Sequence, residues 1–324
     1  MGVYRLILAA LVAISHTGIQ FFGYNPGVVA VISFYLLSGY VMTILIDKYY
    51  MDSLAVSAFY LDRAARLFPQ FIFYMLLASI CIYCFKIKSP FTYQLSFSKW
   101  LLNFFILPQG FFMYWADGAL VIPQSWSLGL EMTFYLVIPW ILMYCSKRWV
   151  YALSGVSFLI FLMAYFGKIN SDHFGYRLLP GTLFMFLVGS SFYKNNNGAK
   201  KFRAVIFLSA GVMLLIAFFN NPLYQLRYNK EVLVGLLLGM ICVNSLKEST
   251  FSRIDEFFGN LSYGVFLNHF IVIWIMQRFF SVKIFTTTSV ALLLVASCTL
   301  AFGSFIFVER PALRWRRKIR YGVN

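Results

Sequence analysis

Charge is what this sequence has least of. Of its 324 residues only 12% are Asp, Glu, Lys or Arg, and acids are scarcer than bases, 11 against 27. A water-soluble domain carries roughly 25% charged residues, so a folded particle of this composition could not cover its own surface in water. A soluble enzyme or binding module is thereby excluded. Cysteine is scarce too, and all five (Cys81, Cys84, Cys145, Cys242 and Cys298) fall within apolar runs. Cys81 and Cys84 form a CxxC with no Cys or His nearby to complete a metal site, so buried thiols and no metal are expected. No repeat relates the two halves, which weakens a transporter reading. The first apolar run has no small-residue cleavage site and contains Arg5 and His16, so it reads as a retained helix rather than a signal peptide.

What the chain has in abundance is apolar length, with 61% hydrophobic residues. Runs of about 20 apolar residues recur, each long enough to cross a hydrocarbon core of about 30 Å as a helix. In lipid a helix satisfies its own backbone polar groups, so repeated helices are the viable architecture. The expected fold is all-α and polytopic, a single membrane domain over residues 1–324 with a short basic tail from 310. Ten spans are expected, near 3–22, 27–46, 68–85, 127–145, 149–167, 177–193, 204–219, 232–246, 259–278 and 285–308. The stretch 100–113 is short, with Pro108 and Gly110 in it and Pro123 beyond, and it is ambiguous.

The distribution of basic residues decides that ambiguity. With the N-terminus in the cytoplasm and 100–113 not crossing, the inside segments hold most of the 27 Lys and Arg. If 100–113 crosses, the majority passes outside, against the positive-inside rule. Ten spans with both termini cytoplasmic is therefore the expected topology, and the region 87–126 becomes an external loop or re-entrant element. The net charge of +16 does not point to nucleic acid. Its densest cluster is the tail, Arg310, Arg314, Arg316, Arg317, Lys318 and Arg320, where basic residues fix orientation and contact anionic lipid.

A titratable side chain inside a span costs several kcal/mol and marks a candidate site. Arg5, His16, His269 and Glu131 qualify. Arg5 and His16 are eleven residues apart, almost three whole turns, so they share a helix face about 16 Å apart along its axis. One end of that face carries a cation suited to phosphate, and the other a group that can accept a proton near neutral pH. Taken alone, an interfacial anchor and a histidine bonded to a neighbouring helix fit equally. Arg63 and Arg66, three apart on the expected loop before the third span, could grip one phosphate or serve as topology anchors. Glu131 falls in the expected first turn of its helix, where the helix dipole stabilises a carboxylate. Ser262 and His269, seven apart, share a face.

Read in order, these residues resemble the motifs of the membrane-bound acyltransferase-3 family over nearly the whole chain. Arg5 and His16 match its Arg-x10-His, and Phe34-Tyr35-Leu36-Leu37-Ser38-Gly39-Tyr40 a second motif. Arg63 and Arg66 with Pro69 match its Arg-x-x-Arg. Trp126, Ser127, Leu128 and Glu131, continuing through Phe134, Tyr135, Leu136 and Pro139, match a fourth. Arg177 with Phe184 and Gly189 resembles a later motif, Gly259-Asn260-Leu261-Ser262-Tyr263 with Leu267 and His269 another, and Glu309 with Pro311 a terminal Glu-x-Pro. Phe266 stands where the family often has Tyr. Each motif alone is weak, but together and in order they are specific.

The resemblance implies an O-acyltransferase of a bacterial inner membrane that uses acetyl-CoA from the cytoplasm. The implied acceptor is a hydroxyl of a surface polysaccharide or its lipid-linked precursor: O-antigen, capsule or exopolysaccharide. It implies donor phosphates held by Arg63 and Arg66 with Arg5, and chemistry at His16, with Glu131 and His269 completing the site. The hydrolase-like domain that many members carry outside the membrane is not expected, because the chain ends shortly after the last span. The alternative is a proton-coupled transporter or glycan flippase in which Arg5, His16 and Glu131 line a pathway.

Overall fold

A computed structural model describes residues 1–52, 55–194, 196–248, 252–280 and 286–321, with 317–321 as backbone. The tail cations Arg317, Lys318 and Arg320 lie outside the described side chains. The long helices are α2 (Pro26–Tyr49), α3 (Val56–Tyr83), α7 (Ser125–Tyr144), α8 (Lys147–Tyr165), α10 (Asn197–Phe219), α12 (Asn229–Leu246), α13 (Arg253–Phe280) and α14 (Thr287–Ser304). After α14 the chain runs through a π-helical turn, Phe305–Glu309, into the tail helix α15 (Arg310–Tyr321). These make eight helices long and apolar enough to cross a membrane among the described residues. The remaining two expected spans correspond to α1 (Gly2–Ser15) and α9 (Leu179–Ser191). At 1.5 Å per residue these reach about 20 Å, short of a hydrocarbon core.

Three boundaries differ from expectation. Helix α1 stops at Ser15, and Gly18 and Gly23 follow with positive φ around a tight turn pairing Phe21 with Tyr24. Helix α3 begins at Val56, so Arg63 and Arg66 lie inside a membrane helix and not on the loop before it. Helix α7 begins at Ser125, which puts Glu131 in its second turn, beyond the first turn where a helix dipole acts. The thiols differ as well: Cys81 is buried, Cys84 is exposed, and the other three lie between. No group of three or more possible metal ligands occurs among the described residues.

The region 87–126 forms no long helix. It folds as three short ones, α4 (Phe97–Leu102), α5 (Ile106–Gln109) and α6 (Phe112–Trp115). Irregular backbone survives near a membrane only where its polar groups are satisfied by protein, and here side-chain amides do that work. Asn103 donates to the Lys99 and Ala119 carbonyls at 2.8 Å each and accepts from the Val121 N–H at 3.0 Å. Gln109 donates to the Asn103 carbonyl at 2.7 Å. Gly110 packs so closely on Gly129 of α7 that a Cβ on Gly129 would lie 2.1 Å from the Gly110 nitrogen.

Two compact units divide the chain. The first comprises 1–19, 57–132 and 251–324, the second 20–56 and 133–250. Within the first unit α1 and α13 run side by side in the same direction. A Cβ on Gly2 would meet the Asp255 carbonyl, and His16 meets His269. Helix α3 also runs parallel to α13, with Tyr263 donating to the Leu67 carbonyl at 2.9 Å and Asn268 to the Tyr74 hydroxyl at 3.3 Å. Helix α14 runs opposite, with Ala301 against Gly264 and the Ser297 carbonyl accepting from Asn268 at 2.9 Å.

In the second unit α2 packs on α9 and α12. A Cβ on Gly39 would lie 1.9 Å from the Phe186 carbonyl oxygen, and one on Gly189 equally close to that of Leu36. Helices associate in lipid through such small residues, which let backbones approach.

Candidate active site

The parallel packing of α1 and α13 gives the first unit two polar ends. At one end His16, the residue that closes α1, lies exposed beside fully buried His269 of α13. The two imidazoles stack with centroids 5.3 Å apart and planes 11° from parallel. Phe270 packs on both, at 4.4 Å from His16 and 5.1 Å from His269, and Phe91 packs on Phe270 at 5.3 Å.

The His269 ring has a defined sense. Its Nδ1 lies 3.3 Å from the Val265 carbonyl one turn earlier. A carbonyl only accepts, so Nδ1 carries the hydrogen, and Nε2 is left with a lone pair. That Nε2 is buried and has no hydrogen-bond partner among the described residues. The α13 backbone is fixed just before this point by Gln124, which donates to the Phe266 and Leu267 carbonyls at 2.8 Å each. Gln124 immediately precedes α7, the helix that carries half-buried Glu131.

At the other end four guanidiniums gather. Arg5, Arg63 and Arg316 all lie close enough to Arg66 to act on its charge. Two buried carboxylates are interleaved with them. Asp62 pairs with Arg63 and accepts from Arg316 Nε at 2.8 Å, while Glu309 pairs with Arg66. The Arg66 guanidinium also sits 5.6 Å from the Tyr263 ring centroid, a cation–π contact. The π-helical turn Phe305–Glu309 is what delivers Glu309, consistent with the tendency of such turns to occur at functional places.

Between the two ends runs a line of neutral polar side chains shared by α3, α13 and α14. Gln70 donates to Ser304 at 3.0 Å, Tyr74 lies 2.6 Å from the same hydroxyl, and Asn268 bridges Tyr74 to α14. From Tyr74 back to Arg66 is eight residues of α3, about 12 Å, and back to Asp62 about 18 Å.

The sequence therefore located both ends. His16 and His269 are brought into contact, and Arg5, Arg63 and Arg66 into one cluster, while Glu131 stands on the neighbouring helix start. The sequence reading missed Asp62, Arg316, Gln124 and Asn268. Asp62 adjoins Arg63 in the chain, and a carboxylate beside an arginine at the start of a span was the available signal. For Gln124 and Asn268 there was none, because their roles depend on partners far away in sequence.

Comparison with known proteins gives the family. Residues 3–309 match the family described as "Acyltransferase domain". The chain belongs to the acyltransferase-3 family. Relatives include a protein named "Putative O-acetyltransferase" from Staphylococcus aureus strain COL, 25% identical over an alignment covering 95% of this chain and 58% of that one. An uncharacterised protein of Aquifex aeolicus is 32% identical, over 63% of this chain and 91% of its own length. The chain thus spans somewhat over half of the staphylococcal relative. No solved structure matches.

Proposed function

We propose that the protein is a membrane-bound O-acyltransferase that moves an acetyl group from cytoplasmic acetyl-CoA to a hydroxyl of a surface polysaccharide or its lipid-linked precursor. Family membership supports the reaction class, and one observation supports the division of labour. Parallel helices α1 and α13 carry a stacked imidazole pair at one end and a guanidinium cluster at the other. Arg5 and His16 are separated by about 16 Å of helix. Donor phosphates are held at the guanidinium end by Arg5, Arg63 and Arg66, each a bidentate donor to phosphate oxygens. The acyl arm then extends towards the histidines.

At that end His16 acts as general base. It takes the acceptor hydroxyl proton as the oxygen attacks the thioester carbonyl carbon. The carbon–sulfur bond breaks, and the proton returns to the departing sulfur, which leaves as the thiol of CoA. His269, its Nδ1 occupied by the Val265 carbonyl, backs the His16 ring and presents Nε2 to the same space. Glu131 balances the charge that forms on His16. The enzyme resides in a bacterial inner membrane with both termini cytoplasmic, so charged CoA never crosses the bilayer.

The test is structural analysis of surface glycans from cells with and without the protein, alongside labelled acetyl transfer in membranes bearing His16→Ala. Loss of specific acetyl esters in both cases supports the reading and names the acceptor. Unchanged O-acetylation by a correctly inserted His16→Ala protein overturns it.

A further inference from the structure

The tail helix was expected only to anchor the chain to the membrane surface, yet it sends one side chain inward. Glu309 and Arg316 are seven residues apart, two helical turns, and so share one face of the rod that continues α14. Both reach α3: Glu309 pairs with Arg66, and Arg316 with fully buried Asp62. The neighbouring Arg314 and Trp315 are exposed. Arg316 itself retains only 16% side-chain exposure. A surface anchor would turn its cations outward, as exposed Arg314 is turned, and would have no use for a buried carboxylate.

Asp62 is shared. It accepts from Arg63 Nε at 3.0 Å and from Arg316 Nε at 2.8 Å, which fixes the two guanidiniums beside each other. Two guanidiniums against one carboxylate leave an excess of positive charge at this place, and such charge favours a second anion of the phosphate kind.

We infer that Arg316, positioned by Asp62, is a further donor-binding residue that contacts the 3′-phosphate of the CoA nucleotide. This rests on the donor reading above and adds to it which phosphate is bound and by which helix. Order along the wall carries the assignment. Measured along α3 from Tyr74, near the histidines, Arg66 comes first at about 12 Å and the Asp62–Arg63–Arg316 group follows at about 18 Å. In an acyl-CoA the order from the thioester is pantetheine, diphosphate, then the ribose 3′-phosphate. The cation group farthest from the imidazoles thus meets the group farthest from the reacting carbon. Arg66 and Arg5 then face the diphosphate.

The decisive comparison is acetyl-CoA against acetyl-3′-dephospho-CoA, using the full-length protein in nanodiscs of neutral lipid. The wild-type protein should show a lower KM for acetyl-CoA than for the dephospho analogue. Arg316→Gln should collapse that preference by about tenfold, the scale of one hydrogen bond to a charged group, and Arg316→Lys should restore part of it. Asp62→Asn should weaken the preference less, because it loosens Arg316 without removing it. An Arg316→Gln protein that loses activity equally with both donors, or keeps the full preference, overturns the assignment and leaves Arg316 a staple for the tail. A defect that appears only when anionic phospholipid is added also overturns it, in favour of lipid phosphate. Failure of the wild-type protein to use either thioester would instead overturn the donor reading, so the two failures are distinguishable.

Discussion

The two units of this protein are made of the same material and bury different things. The second unit is packed mainly through small residues and aromatic rings, with Arg203 and Glu231 buried on separate helices. Its helices meet at Gly39 and Gly189, and a stack of Tyr35, Phe186 and Phe134 fills its interior with centroids 4.7 and 4.2 Å apart. One of its clear ion pairs, Arg177 with Asp172, lies on the π-helical turn His173–Arg177 ahead of α9. The first unit encloses Asp62, Arg63, Arg66, Glu309, His269, Gln70 and Asn268 within or between long helices. Each buried ion costs several kcal/mol of lost hydration, which a partner only partly offsets. What sets the first unit apart is that its buried charges are paired between long helices, which marks it as the candidate site.

The sharpest way to break that comparison is at the histidines. His16→Ala should lower acetyl transfer by on the order of 10²- to 10⁴-fold, the range of a lost general base, with thermal stability in detergent little changed because His16 is exposed. Retained transfer would mean that the polar end of the first unit is structural. Next comes Glu309→Ala, which leaves the Arg66 guanidinium buried without its carboxylate and should cost about 3–5 kcal/mol of stability. In a double-mutant cycle with Arg66→Ala the two losses should fall well short of additive. Additive losses would show that the pair does not interact.

The second unit should respond in the opposite sense. Gly39→Val forces a side chain against the Phe186 backbone and should cost about 1–3 kcal/mol or more, since overpacked cores relax only in part. Transfer per correctly folded molecule should stay near that of the parent protein. A Gly39→Val protein of normal melting temperature but low turnover would place chemistry in the second unit and reverse the comparison.

Much of this was legible beforehand, for identifiable reasons. Apolar run length gave the order of the helices, and 100–113, set apart by its shortness and by basic-residue counting, forms no long helix. The few titratable residues in spans picked out His16, His269 and Arg5. Boundaries were less legible. Arg63 and Arg66 look like loop residues because charges ordinarily stay out of a span, yet paired with Asp62 and Glu309 they lie within α3, which begins at Val56 and not at 68. The end of α1 was misread because Ile19, Phe21 and Phe22 prolong the apolar run, while Gly18 and Gly23, both at positive φ, turn the chain. The inward course of Arg316 was hidden among five other tail cations. No count of charges singles out the one bound to a buried acid.

The smallest effect expected is at the Asp172 ion pair of the second unit, and it sharpens the contrast. Burial opposes the charge of Arg177, yet the Asp172 carboxylate, bonded to Arg177 Nε at 2.6 Å, more than compensates and raises the arginine above its ordinary pKa. Asp172 also lies 3.3 Å from Arg227, whose side chain is largely exposed. Arg177 therefore stays cationic as pH rises through any working range. Asp172→Asn keeps a hydrogen-bond acceptor and removes only the charge, so the loss should be about 1 kcal/mol, modest because water reaches Arg227 and screens the site. Thermal melts of this variant at two ionic strengths measure it directly. The difference from the parent protein should shrink as salt is added, whereas the Glu309→Ala difference, set by a pair buried from solvent, should not.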